Sequence, residues 1–167
     1  MNIALATCEN LPDWEVDDRP LIAALVERGL TVSLPQWSDS SVDWAAFDLT
    51  VIRTTWDYQD RLADFLKWTE RVDRLGRLKN SAALVRWNAN KHYLKTLSDL
   101  GVPIAPTIWL TKEEDIALEV RRMGWDRVFM KPMVGASAIG AMRFNSADTH
   151  QAQSLLRHTL PKCGMML

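Results

Sequence analysis

Cysteine is scarce here, with only Cys8 and Cys163, and three histidines complete the supply of soft metal ligands. The cysteines lie far apart and neither has CxxC or His spacing, which excludes a zinc ribbon and a disulfide framework and fits a reducing cytoplasm. Net charge is scarce too, at a formal -1, so no overall field draws nucleic acid or an anionic membrane. No apolar run is long enough to span a bilayer, and Met1-Asn2-Ile3-Ala4-Leu5-Ala6 lacks the basic start of a signal peptide. Two nucleotide motifs are missing as well. No GxGxxG follows the first apolar run. Gly135 and Gly140 have the outer spacing of a P-loop, but Ala141-Met142 stands where Lys-Ser/Thr is required.

What is present is an ordinary balance of apolar and charged residues over 167 positions, with eight tryptophans for packing or for lining a concave site. Ile3–Thr7 predicts a first strand, Pro20–Gly29 a helix with proline in its first turn, and Leu30–Leu34 a second strand. Strand, helix, strand at this length predicts a parallel sheet. Asp48–Arg53 predicts a third strand, running into Thr54-Thr55-Trp56-Asp57-Tyr58. Ligands of open parallel sheets gather beyond the carboxyl ends of strands, so Arg53, Trp56 and Asp57 are candidates there. Each has a plainer alternative: an ion pair for Arg53, packing for Trp56, a helix cap for Asp57. Asp13, Asp17 and Asp18 are weaker candidates on the same side. Leu62–Leu75 predicts an amphipathic helix, and a change of pattern at Lys79-Asn80-Ser81 predicts a domain break, giving residues 1–80 and 81–167.

In the second part, Asn88–Gly101 predicts a helix with Lys91 in its first turn, where an anion is already favoured. Thr107–Leu110 predicts a strand. Thr111 and Glu114 have capping-box spacing for a helix running to Met123. Val128–Lys131 and Ala141–Phe144 predict strands, Ser146–Leu160 a helix, and Met165–Leu167 the beginning of another strand. The apolar run that ends in Lys131 precedes a loop of small residues, Gly135-Ala136-Ser137-Ala138-Ile139-Gly140. Lysine at the end of a buried strand is costly unless an anion meets it, and the loop's amides suit phosphate oxygens. The alternative is a hairpin whose lysine snorkels to solvent. His92, His150 and His158 have no ligand spacing, and Cys8 has no base beside it for nucleophilic work.

Asn90-Lys91, Leu100-Gly101-Val102-Pro103, Pro106-Thr107, Met130-Lys131-Pro132 and the Gly135–Gly140 loop together resemble the ATP-grasp superfamily. Val51-Ile52-Arg53-Thr54-Thr55-Trp56-Asp57-Tyr58, preceded by Val42-Asp43-Trp44 and Phe47-Asp48, is similar to its glutathione-synthetase/RimK-like branch. The resemblance implies an α/β fold: a Rossmann-like, parallel-sheet substrate domain, followed by the α+β lid subdomain of an incomplete ATP-grasp fold. It implies a ligase that phosphorylates a carboxylate with ATP and lets a nucleophile attack the acylphosphate. By position, Lys91, Lys131, Gly135, Ala136, Ser137 and Gly140 would bind ATP, and Arg53, Trp56 and Asp57 a small carboxylate substrate. The family's Mg²⁺ ligands would lie beyond Leu167, so no catalytic residue and no metal ligand is assigned. The expectations are an N-terminal fragment without turnover of its own, cytoplasmic, and prone to self-association through exposed lid surface. A rival expectation is a non-catalytic Rossmann-like module that binds a small metabolite or a partner.

Overall fold

The computed structural model describes residues 1–11 and 18–167. The chain forms two compact units, Met1–Trp87 and Asn88–Leu167. Asp13 and Asp17, two of the weaker substrate-side candidates, lie outside the described residues.

The first unit is built on a parallel sheet. β1 (Asn2–Thr7), β2 (Thr31–Ser33), β3 (Leu49–Thr54) and β4 (Leu78–Lys79) lie in the order β2-β1-β3-β4. Two crossovers carry helices, α1 (Arg19–Glu27) and α2 (Leu62–Asp73). β1 is buried from Ile3 onward, as a central strand covered on both faces must be. α2 turns Phe65, Trp68, Thr69 and Val72 inward, so its apolar stripe includes Trp68 beside the residues that helical spacing indicates. Trp37, Trp44, Phe65 and Trp68 make the centre of this core, with ring centroids 5.1 to 6.2 Å apart. That accounts for three of the eight tryptophans as packing.

One strand differs from the sequence pattern. Leu78-Lys79 is a fourth strand, paired with Thr50 and Val51, where a connection was expected. Two residues carry no period, so only pairing to β3 reveals such a strand. The two compact units divide after Trp87. The reason is α3 (Ala82–Asn88), which is tied back to the first unit. The Ala82 amide donates to the Asp73 carboxylate at 3.1 Å, Val85 joins the aromatic core, and Arg86 pairs with Glu70.

The second unit is an antiparallel sheet in the order β5-β8-β6-β7, with helices packed on one face. β5 is Trp109–Leu110, β6 Arg127–Pro132, β7 Met142–Asn145 and β8 Met165–Met166. Val128, Met130 and Phe144 point from β6 and β7 into a core completed by Ile116 and Val120 of α5 (Ile116–Met123) and by Ala152 and Leu156 of α6 (His150–Thr159). Met165 and Met166, the expected strand beginning, become an inner strand between β5 and β6, and both are buried. Gly164 enters this strand where a Cβ would stand 2.7 Å from Met133 Sδ and 3.1 Å from the Leu110 carbonyl oxygen, so a side chain there would have to displace Met133.

Three helix starts are corrected. Asn90 Oδ1 accepts from the His92 amide at 2.9 Å, an Asx turn that competes with helix, so α4 is only Tyr93–Asp99 and Lys91 precedes it instead of lying in its first turn. The N-cap of α5 is Asp115, whose carboxylate accepts from the Leu118 amide at 3.0 Å; Thr111 does not cap it. Gln153 holds that start from α6, donating to the Glu114 carbonyl and accepting from the Ile116 amide, both at 3.0 Å. α6 starts at His150 rather than Ser146, because the Ser146 amide is used by the Asp126 carbonyl at the end of the β6–β7 ladder.

Candidate nucleotide crevice and the strand-end site

In the first unit, the carboxyl ends of β1 and β3 are joined by a buried hydrogen bond, 2.8 Å from the Thr54 hydroxyl to that of Thr7. Just beyond lie the three candidates. Arg53 Nε and Nη2 both donate to Asp18 Oδ1, at 2.7 and 2.5 Å. Asp18 is almost wholly buried, whereas the arginine side chain is 39% exposed. The ion pair is therefore an anchor of Arg53. Asp57 does not cap the turn that follows it. Its Oδ1 instead accepts the Trp37 indole N–H at 2.7 Å, while Arg61 lies 5.2 Å from the centroid of that indole. At the strand end the Trp37 indole thus meets a carboxylate at its N–H edge and a guanidinium over its face. Trp56 is half-buried beside Asp57 in sequence.

In the second unit, alternation along β6 decides which side chains share a face. Val128 and Met130 point into the core, and Phe129 and Lys131 take the open face, with the lysine Nζ 5.8 Å from the phenyl centroid. Lys131, Phe129, Lys91 and the small-residue loop line one crevice of about 280 Å³. Lys91 is held there twice. Its amide donates to the Met133 carbonyl at 2.8 Å, and its Nζ donates to the Gly135 carbonyl at 2.8 Å. Burial first, and then the nearby Lys131 ammonium, pull the Lys91 pKa below its ordinary value of 10.5; Cys163 acts in the opposite sense. Two ammonium groups facing one crevice, with their charge uncompensated by any carboxylate among the described residues, make a site for an anion.

The loop itself is conformationally unusual. Ser137 and Ala138 have φ of 52° and 58°, left-handed values that cost a non-glycine residue roughly 1–2 kcal/mol. The Ile139 and Ala141 amides close turns onto the Ala136 and Ala138 carbonyls, at 3.1 and 3.0 Å. Gly140, at φ 71°, has Pro132 Cγ 3.1 Å from where a Cβ would be. The loop is thus folded over the end of β6, with Ser137 to Gly140 exposed.

The structure brings Lys91, Lys131, Gly135, Ala136 and Ser137 to one crevice. Gly140 shapes the loop without lining that space. Phe129 lines the crevice too, and strand alternation with Lys131 points to it. Cys163, near Lys91, does not line the crevice.

Comparison with known proteins gives the same architecture. The family model for the N-terminal domain of D-cycloserine synthetase DcsG matches residues 3–80. The cycloserine biosynthesis protein DcsG of Streptomyces lavendulae is 37% identical over 107 residues, which is 64% of this chain and 36% of that protein. The crystal structure of D-cycloserine synthetase DcsG superposes with a TM-score of 0.86 at 29% identity, covering 99% of this chain and 58% of that one. A RimK domain ATP-grasp protein from Sphaerobacter thermophilus gives 0.71 at 20% identity, over 99% of this chain and 62% of that one. D-alanine–D-alanine ligase from Bacillus anthracis gives 0.71 at 18%, over 99% of this chain and 56% of that one. The chain thus spans less than two thirds of the length of each of these relatives. Its parallel and antiparallel sheets match the N-terminal and lid-like domains of the ATP-grasp fold, and the chain resembles the N-terminal portion of ATP-grasp ligases.

Proposed function

We propose that these 167 residues are the substrate-side and lid-side portion of an ATP-dependent ligase, and that Lys91 and Lys131 hold the nucleotide's phosphates. We assign residues 1–80 to the substrate side and 81–167 to the lid side, with α3, at the start of the latter, packed on the first unit. One observation carries this reading: two lysines from separate stretches of chain face one crevice beneath a loop of small residues. A triphosphate is the ligand whose charge and length suit two point cations and exposed backbone amides. Lys91 reaches it from the turn before α4 and Lys131 from the end of β6, while Gly135, Ala136, Ser137 and Gly140 form the cover. Cases in point among the neighbours are a D-alanine–D-alanine ligase complexed with ATP and an N5-carboxyaminoimidazole synthase complexed with ADP.

In the reaction we propose, a substrate carboxylate oxygen takes the γ-phosphoryl group, releasing ADP. A nucleophile then attacks the acyl carbon and expels phosphate. Arg53 is proposed to neutralise the carboxylate. Trp56 offers an apolar wall, and Asp57 acts by holding Trp37. The described residues include no cluster of three His, Cys, Asp or Glu side chains suited to a metal ion, so no residue of this chain is assigned to Mg²⁺.

Calorimetric titration with ATP tests the reading. Lys131→Ala and Lys91→Ala are each expected to weaken binding at least tenfold, about 1.4 kcal/mol, with unchanged circular dichroism. ATP affinity equal to wild type in both variants would remove the proposal.

A further inference from the structure

The longer helices of this chain are set by what they bury. α2 turns Phe65, Trp68, Thr69 and Val72 inward, α5 Ile116 and Val120, and α6 Ala152 and Leu156. Each also exposes charge, as at Lys67, Arg121 and Arg157. α1 departs from this pattern twice. Every residue from Pro20 to Val26 is apolar, so only the two ends of the helix are charged. A helix that is apolar all round is ordinarily buried, yet no residue of α1 is. Leu21, Ile22, Ala24 and Leu25 are half-buried. Arg19, Pro20, Ala23, Val26 and Glu27 are exposed, Val26 to 55%.

The exposed residues are symmetric about Ala23. At 3.6 residues per turn, Arg19 and Glu27 lie about 40° to either side of it, and Pro20 and Val26 about 60°. Along the axis, Arg19 and Glu27 are each about 6 Å from Ala23, and Pro20 and Val26 each about 4.5 Å. Two copies laid antiparallel, with a two-fold axis through Ala23, therefore set Arg19 against Glu27 of the partner subunit at both ends. The same operation sets Pro20 against Val26 of the partner subunit. Parallel packing would place like charge on like charge, so charge fixes the direction. Ala23 at the axis keeps the helix favourable and lets two backbones come close. Neither Arg19 nor Glu27 has an ion-pair partner among the described residues.

We infer that α1 is a self-docking face: a second copy of this chain packs antiparallel on it about Ala23, with Arg19 and Glu27 paired across both ends. The occupant is a second copy because the face is complementary to itself in both charge and spacing. One helix pair stands at the small end of specific interfaces, below about 1,200 Å² in total, so the dimer is weak and reversible. The face lies in the first unit and uses neither the lysine crevice nor the loop of small residues, so it stands whether or not that crevice takes a nucleotide.

Sedimentation velocity of the 167-residue chain at low salt, from about 5 to about 500 µM, tests this. Wild type should move from monomer towards dimer across that range. Ala23→Glu places two carboxylates at the axis and should abolish the shift. Arg19→Glu and Glu27→Arg should each weaken self-association by roughly tenfold, because two exposed pairs turn from attraction to repulsion. An equimolar mixture of those two variants should restore it, since opposite charges then meet at both ends. Circular dichroism equal to wild type verifies that each variant is folded. A wild type that stays monomeric would leave the face to a different partner, and association undiminished in Ala23→Glu would place the contact on another surface. Either result, or a mixture no more associated than its separate components, would overturn the inference.

Discussion

At the scale of single residues, charge is placed where burial and neighbours make it matter. Lys91 has a lowered pKa because its ammonium is partly desolvated and faces Lys131. The sign follows from proton counting. Between its folded pKa and 10.5, the unfolded state binds more protons than the folded state, so this group's contribution to stability rises with pH across that window. An anion in the crevice favours the charged lysine, so ATP affinity should fall as pH rises through the lowered pKa. Carbon-detected NMR of the Lys91 side chain should show its titration moving upward in Lys131→Ala, since that variant removes the neighbouring charge. A titration that stays in place would mean that the two ammonium groups do not interact. Arg53 illustrates the opposite case. Asp18 is 4% exposed, and its Oδ2 has no partner among the described residues, so it depends on the guanidinium. Arg53→Ala should destabilise the first unit by about 1–3 kcal/mol, less than a fully buried pair because the arginine meets solvent. Urea denaturation followed by tryptophan fluorescence would measure this. Loss of stability and loss of substrate binding are separable through Arg53→Lys, which keeps charge but not the fork.

At the scale of elements, the loop between β6 and β7 holds left-handed backbone at alanine and serine while keeping glycine at Gly140. Ala138→Gly should stabilise the chain by roughly 0.5–1 kcal/mol, since glycine adopts that conformation without a Cβ clash. Gly140→Ala should cost about 1–2 kcal/mol, from positive φ and from contact with Pro132. Thermal unfolding of the two variants would then shift in opposite directions. A lower melting temperature for Ala138→Gly would show that the loop conformation at Ala138 differs from the one described. Short elements in this fold are set by their partners. β4, β5 and β8 each have two residues; β4 and β8 are made strands by pairing with the longer β3 and β6, and β5 by pairing with β8. α5 and α6 are likewise cross-fixed by the two hydrogen bonds of Gln153.

At the scale of the whole molecule, the nucleotide reading and the catalytic reading are distinct. Phosphoryl transfer needs cationic stabilisation of charge as it moves from ATP to the acceptor oxygen. In the proposed reading two lysines and a loop supply binding and shielding, while no metal-ligand cluster occurs among the described residues. The pure 167-residue chain is therefore expected to bind ATP without releasing ADP above the uncatalysed rate, whether or not amino-acid carboxylates are added. A coupled ADP assay checks this, and sustained ADP release that is lost in Lys131→Ala would refute it.

The amino-acid sequence by itself determined the alternating α/β order of the first unit, the parallel pairing of β1 and β2, and the placement of Lys131 before a loop of small residues. Those follow from local period and from residues with narrow backbone preferences, such as Pro20 at a helix start and Gly29 at φ 75° after its end. The helix starts that local pattern puts at Asn88 and Thr111 lie further on, because an Asx turn at Asn90 and a cap at Asp115 compete locally. Only the tertiary structure decided that Lys91 meets the loop at Gly135, 44 residues away, and that Asp57 serves the Trp37 indole, 20 residues away. Such contacts are made by strands and turns brought side by side through core packing, and no period in the chain encodes which distant carbonyl or indole a side chain will find.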